Sequence, residues 1–183
     1  NDNLSVFARV ATGFRPGGPN VLPIGAPPGT PGSYDSDELT NYELGFRADS
    51  PDGAFALDVT AYFLDWKDVQ LFAQINGVGL NANGGTAESK GVEFDLNAKL
   101  PAGFELFLTY AYTDAGWASN ALDPNFSQPI RKGDPLINIP KHQGNALLFK
   151  NFSIGDHEAM LGAGVNYVGR RLGETATTFF LPS

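Results

Sequence analysis

Asp58, Glu93 and Asp95 fall on alternating segments that also carry Arg9, Glu43, Arg47 and Lys99. Two such carboxylates brought side by side could serve as a general acid and a general base. The same residues, interspersed with Gly, Ala, Ser, Thr and Asn, equally make a polar face on which opposite charges interlock. Nothing else in the sequence turns that face into a reaction centre. Cysteine is absent, which removes a thiol nucleophile, a thiolate metal site and a disulfide framework. His142 and His157 do not stand at a metal-ligand spacing. There is no phosphate-cradling Gly-rich loop, nucleophile elbow or calcium loop. The charged residues are therefore read as a lining, and no catalytic residue, metal site or cofactor is expected.

A second set of side chains sits on long links between segments: Tyr34, Asp35, Gln70, Phe72, Trp117, Phe126 and Arg131. Aromatic rings and an arginine suit a planar iron chelate or a sugar ring equally well. These seven are the candidate ligand-binding residues.

The elements that position both sets have a period of two. Residues 4–14 place Leu4, Val6, Ala8, Val10 and Phe14 on one side. Tyr42, Leu44, Phe46 and Ala48 stand opposite Glu43, Gly45, Arg47 and Asp49, and Phe55, Leu57, Val59, Ala61 and Phe63 opposite Asp58, Thr60 and Tyr62. Val92, Phe94, Leu96 and Ala98 oppose Glu93, Asp95, Asn97 and Lys99, and the pattern returns over 104–113 and 159–168. Around 145–152 it weakens and the facing stays open. Such alternation marks half-buried strands. The links alternate too. Ser50-Pro51-Asp52-Gly53, Pro101-Ala102-Gly103 and Ser153 to Asp156 are short, with turn chemistry. Those at 16–37, 67–85 and 114–141 are long and read as loops.

Short turns on one rim and long loops on the other characterise an outer-membrane β-barrel. The rival is a soluble β-sandwich that hides one face in its core. Segment length favours the barrel, as does an apolar face without charges in the six well-patterned segments. Tyr110, Tyr112, Tyr167 and Trp66 lie toward segment ends, where aromatic girdles meet the lipid interface. Charged residues make up only 17% of the chain, against ~25% in ordinary globular domains, while Gly 22 and Pro 13 are abundant. The net charge of −8 argues against nucleic acid as a partner. No run approaches the ~20 apolar residues of a membrane helix. Seven strands leave an open edge that lipid cannot satisfy, so residues 1–183 are expected to be part of one larger barrel domain, with Phe180 and Leu181 entering an eighth strand.

Five strings in order resemble the C-terminal barrel of TonB-dependent receptors. They are residues 10–20 (VATGFRPGGPN), 39–47 (LTNYELGFR), 61–71 (AYFLDWKDVQL), 81–95 (NANGGTAESKGVEFD) and 111–115 (AYTDA) with 181–183 (LPS) in the same register. The resemblance implies an all-β fold: an antiparallel transmembrane β-barrel wall of about seven to eight strands, from a barrel of about twenty-two, with short periplasmic turns and long extracellular loops. It implies a plug domain and the last strands outside this stretch. It further implies a bacterial outer-membrane receptor importing a scarce solute such as a ferric siderophore, with outer-membrane lipid, its own plug, the TonB energy-coupling system and a small-molecule ligand as partners. Arg9, Glu43, Arg47, Asp58, Glu93, Asp95 and Lys99 would face the lumen. Gly13, Gly45 and Gly91 would mark bulges or bends. A passive porin-type channel and a carbohydrate-binding β-sandwich remain the alternatives.

Overall fold

The computed structural model describes residues 3–75, 77–120, 130–173 and 180–181. Its long strands are β1 (Leu4–Arg15), β4 (Asp37–Asp49), β5 (Phe55–Lys67), β8 (Ala87–Leu100), β9 (Phe104–Trp117), β10 (His142–Ile154) and β11 (His157–Val168). Between them lie the short strands β2 (Gly18–Pro19), β3 (Ser33–Tyr34), β6 (Gln70–Ile75) and β7 (Val78–Asn83), and at the end β12 (Arg171–Leu172) and β13 (Phe180–Leu181). The seven long strands form one antiparallel sheet in the order β1-β4-β5-β8-β9-β10-β11. Each is hydrogen-bonded to its sequential long neighbour, as an up-and-down wall requires.

The short links are built by their residue types. In the β4–β5 turn the Gly53 N–H donates to the Ser50 carbonyl over 2.9 Å, and Gly53 takes a φ of 67°. The Asp52 carboxylate accepts the Ala54 N–H at 3.0 Å, and the Ser50 hydroxyl accepts that of Phe55 at 2.9 Å. The β8–β9 link Pro101–Gly103 is a tight turn in which Ala102 and Gly103 take φ of 62° and 77°, and Gly155 at φ 60° closes β10 onto β11. All three lie at the same end of the sheet.

Several elements differ from the sequence expectation. Residues 67–85 are no plain loop but contain the β6–β7 hairpin. The weakly patterned stretch near 145–152 lies in a regular thirteen-residue strand. Phe180 and Leu181 pair with Leu172 and Arg171 instead of extending the main sheet. Pairing runs unbroken through Gly45 and Gly91, so neither makes a bulge. They make room instead. A Cβ on Gly45 would lie 2.5 Å from the Phe7 ring, and one on Gly91 2.8 Å from that of Tyr62 and 2.1 Å from the Tyr112 carbonyl. On the concave side of a curved sheet side chains converge, and a missing Cβ lets a neighbour's ring lie flat.

The register fixes both faces. Arg47, Asp58, Asp95, Thr109, Asn145 and Asn166 form one cross-strand row, on the concave side. The adjacent convex row is Val6, Phe46, Val59, Phe94, Tyr110, Gly144 and Tyr167. Trp66 pairs with Leu39 and Ala87 on the concave side, so it is not a girdle residue. The strand period put it there, two positions beyond Leu64 and four beyond Tyr62.

The convex apolar band crosses the sheet obliquely. Its upper edge runs from Phe14 on β1 to Tyr167 on β11, whose row meets β1 at Val6, eight residues lower. Its lower edge runs from Leu4 to Ala159, six residues below Val165 in the row of Leu4. A fall of about seven residues at ~3.3 Å each, over six strand spacings of ~4.8 Å, is an angle of roughly 40°. Barrel strands tilt by ~35–45° in a membrane, and two parallel edges at that slope are what a flat bilayer would cut from such a wall. Above the band stand Glu38, Asp65, Lys67, Glu88, Lys90 and Asp114 on the same convex side.

Among the described residues no buried hydrophobic side chain lies on the convex face. Val69, Ala87, Trp117 and Ile130 cluster at the long-loop end, Leu80 is buried on β7, and no second large sheet covers the band among the described residues. In the full-length protein folded into bilayers, Val59→Arg should therefore cost roughly 2–4 kcal/mol, the charge standing mid-band. Thr60→Arg, which points the other way toward its cross-strand partner Glu93, should cost far less. Urea titrations of the two variants measure the difference; equal losses would show that the band does not face lipid.

Candidate functional site

Two surfaces can meet a solute: the concave wall and the rim of long loops above it. Arg9, Glu43, Arg47, Asp58, Glu93 and Asp95 all line one open trough of 1080 Å³ on the concave wall. The Arg9 Nη2 donates to Glu43 Oε1 at 2.6 Å, and Asn41 Nδ2 donates to the same oxygen at 2.6 Å. Arg47 Nε meets Asp58 Oδ2 at 2.5 Å while its guanidinium lies 4.9 Å from the Phe7 ring centroid. Thr60 donates to the other Asp58 oxygen at 3.2 Å. Asp95 is the direct cross-strand partner of Asp58 and Glu93 that of Thr60. Lys99 shares the concave side by register at the short-turn end, opposite Glu105. Glu43 and Asp58 are thus engaged by arginines, an arrangement that holds a wall together and leaves neither poised as a base. Among the described residues no three His, Asp or Glu converge on a metal-sized point.

The rim is organised around Asp37, the first residue of β4, which lies beyond the upper edge of the apolar band and is only 2% exposed. Its carboxylate accepts Arg15 Nε at 3.1 and 2.9 Å, Arg15 Nη2 and the Arg15 backbone N–H at 3.2 Å. Trp66 Nε1 donates to it at 3.0 Å and the Gln70 N–H at 3.2 Å. One buried anion therefore ties the end of β1 to β5 and to the base of the β6–β7 hairpin. The donated bonds of Arg15, aided by Gln70 and Trp66, outweigh the opposing effect of burial and lower the Asp37 pKa to about 2.

The two loops beside Asp37 are fastened by three amide side chains. Gln70 Nε2 donates to the carbonyls of Arg15, Pro16 and Asp35 at 3.3, 3.1 and 3.0 Å. Asn83 Nδ2 donates to the carbonyls of Asp35 and Asp68 at 3.0 and 2.8 Å, and its Oδ1 accepts the Asp35 N–H at 2.8 Å. Asn20 Nδ2 reaches the Asn81 carbonyl at 2.9 Å while its Oδ1 accepts the Asn81 N–H at 3.0 Å. The outer tip of the first loop stands clear, with Val21 and Ile24 fully exposed.

These contacts place the candidate ligand residues. Tyr34, Asp35 and Gln70 are brought together, but the Gln70 amide is spent on backbone carbonyls. The Tyr34 ring covers Gly18. Phe72, 64% exposed, lies over Gly79 on the same hairpin as Gln70. Trp117 is 7% exposed and packs with Val69, Ala87 and Ile130. Arg131 is exposed beside it, its N–H donating to Asp134. Phe126 lies outside the described residues. Sequence reasoning missed the fasteners Asn20 and Asn83, and the carboxylate of Asp37. Asn83 precedes Gly84 and Gly85 and reads locally as a turn residue; its partners lie 15 and 48 positions away.

All 183 residues match the family model described as TonB dependent receptor-like, beta-barrel. The metal-pseudopaline receptor CntO of Pseudomonas aeruginosa is 30% identical over 178 residues, covering 97% of this chain and 23% of that protein. The crystal structure of the ferric yersiniabactin uptake receptor FyuA from Yersinia pestis superposes with a TM-score of 0.75 at 21% identity, over 98% of this chain and 26% of that one. BauA, the ferric preacinetobactin receptor of Acinetobacter baumannii, gives a TM-score of 0.75 at 17% identity, over all of this chain and 26% of that one. The chain thus spans about a quarter of the length of these relatives.

The clasp at Asp37 should be acid-sensitive in a defined direction. Its carboxyl has a folded-state pKa of about 2 against an ordinary 3.8. The stabilisation, roughly 2 kcal/mol, is then complete above pH ~4 and is lost as pH falls toward 2. Pepsin cleavage within residues 16–36 of the wild-type protein, normalised to Asp37→Asn, should rise across that interval. A flat ratio would mean that Asp37 does not hold the loops.

Proposed function

This chain belongs to the TonB-dependent receptor-like β-barrel family, and on that premise we propose that it forms part of the wall and mouth of an outer-membrane receptor importing a metal chelate of the siderophore class. Its relatives are outer-membrane proteins. The observation that carries the proposal is the match of the whole chain to this barrel, together with relatives whose names specify metal–pseudopaline, ferric yersiniabactin and ferric preacinetobactin. An uptake receptor of this type is not an enzyme, and the arginine-paired carboxylates of the trough suit a lining.

On this reading the concave wall is the lumen, and Arg9, Glu43, Arg47, Asp58, Glu93, Asp95 and Lys99 face a plug domain encoded elsewhere in the full protein. TonB supplies the energy through that plug. Tyr34, Asp35, Phe72 and Arg131 are the rim groups assigned to the chelate. Gln70 and Trp117 hold the frame on which they stand. An aromatic ring and an arginine beside a preformed loop pair suit a flat, partly anionic complex.

The decisive measurement is uptake of radiolabelled iron as its yersiniabactin or preacinetobactin chelate, by bacteria whose only such receptor is the full-length protein. Uptake should saturate and should stop when a protonophore collapses the proton gradient or when TonB is removed. Unsaturable uptake that ignores both treatments would establish a passive channel instead.

A further inference from the structure

Among the described residues Lys150 is the one Lys, Arg, Asp or Glu on the convex face inside the apolar band. Its register partners on that side are Phe104 of β9 and Leu161 of β11, with Phe152 and Ile154 below it on β10. A charge in such a band costs up to ~2–4 kcal/mol at mid-depth, falling to ~0–1 at the interface. Lys150 makes no ion pair among the described residues. Its ammonium instead lies 4.7 Å from the centroid of the Phe104 ring and 3.6 Å from where a Cβ on Gly103 would sit. The side chain thus runs along the wall to the β8–β9 turn, at the lower edge, where a lysine can carry its charge out of hydrocarbon.

The backbone leaves an opening at that point. Pairing between β9 and β10 ends at Phe104 and Lys150, whereas β10 continues to Ile154 and pairs there with β11 alone. Asn151 is still covered there, its carbonyl 2.7 Å from where a Cβ on Gly103 would sit, and residues Phe152 to Ile154 present the unpaired strand edge, in a notch beside the Pro101–Gly103 turn. Exposed Leu100, Phe152 and Ile154 border it. A cation roofs the notch and apolar side chains flank it, while the nearest carboxylates, Glu105 bonded to Asn151 and Glu158 opposite Ser153, stand on the concave side.

We propose that Lys150, the Phe104 ring and the open edge of β10 form a binding site for the phosphate headgroup of an anionic phospholipid in the periplasmic leaflet. The phosphodiester meets the ammonium, the acyl chains lie against Phe104 and Leu161, and the strand edge offers backbone N–H groups to the headgroup oxygens. The site depends on the barrel's place in the membrane and not on what the receptor imports.

The test uses the full-length receptor in vesicles of equal parts phosphatidylcholine and phosphatidylglycerol, with retained lipid counted by native mass spectrometry. Lys150→Met keeps the aliphatic stem over Phe104 and should lower retention of phosphatidylglycerol about fivefold, the loss typical of one lysine at an anionic surface. Lys150→Arg should restore it, and chelate uptake should stay unchanged in both. Undiminished phosphatidylglycerol retention in Lys150→Met would overturn the site. Equal retention of phosphatidylcholine and phosphatidylglycerol by the wild type would overturn the anionic assignment, and that comparison decides the matter even if the methionine variant folds poorly.

Discussion

A backbone that crosses hydrocarbon has nowhere to place its N–H and C=O groups except on a neighbouring strand. Everything else in this wall follows from that constraint. Continuous pairing from β1 to β11 locks each strand's register, and because side chains alternate, register alone assigns every strand residue to the convex or the concave face. A slip of one residue would exchange the two faces along the entire strand. The glycines under Phe7 and Tyr62 belong to the same logic: the wall keeps its ladder intact and removes a side chain where the inner face would crowd, in preference to breaking the ladder with a bulge.

Where the strands leave the band, the source of order changes. The rim has little apolar surface to bury, and its cluster around Trp117 is small. Side chains that serve as substitutes for backbone partners hold the loops instead. Asp37 collects donors from three strands, and Gln70, Asn83 and Asn20 bond to carbonyls and amides of the facing loop. Buried polar groups are costly unless satisfied. A fully satisfied set such as this therefore specifies one arrangement of the two loops, which is what a recognition surface needs if ordering is not to be charged against binding.

The wall was legible in the sequence because its signal is local. Six of the seven long strands show their period within a dozen residues, and their turns carry Pro, Asp and Gly where the geometry demands them. β10 was harder: Lys150 interrupts its apolar face and Leu147 and Phe149 stand on its concave one, so both sides look alike. Trp66 was misplaced because aromatic character near a strand end outweighed its parity. The rim was largely illegible. Its hairpin β6–β7 is short, and the amides that clasp it look, one at a time, like ordinary loop residues. Their meaning resides in pairings across 48 or 61 positions, which no local pattern carries. The oblique edge of the apolar band lay between these extremes, since it is written in the sequence but becomes visible only once register is known.

The clear tip of the first loop has a consequence for the cell that carries the receptor. With its flanks fastened to the β6–β7 hairpin, the segment around Val21 and Ile24 is, among the described residues, a stretch that an immunoglobulin, a surface protease or a phage tail fibre can grip without first unfastening anything. Changes there disturb neither the clasp nor the ladder beneath it. Sequence drift under immune or viral pressure can therefore concentrate at that tip while the frame fastened around Asp37 stays constant.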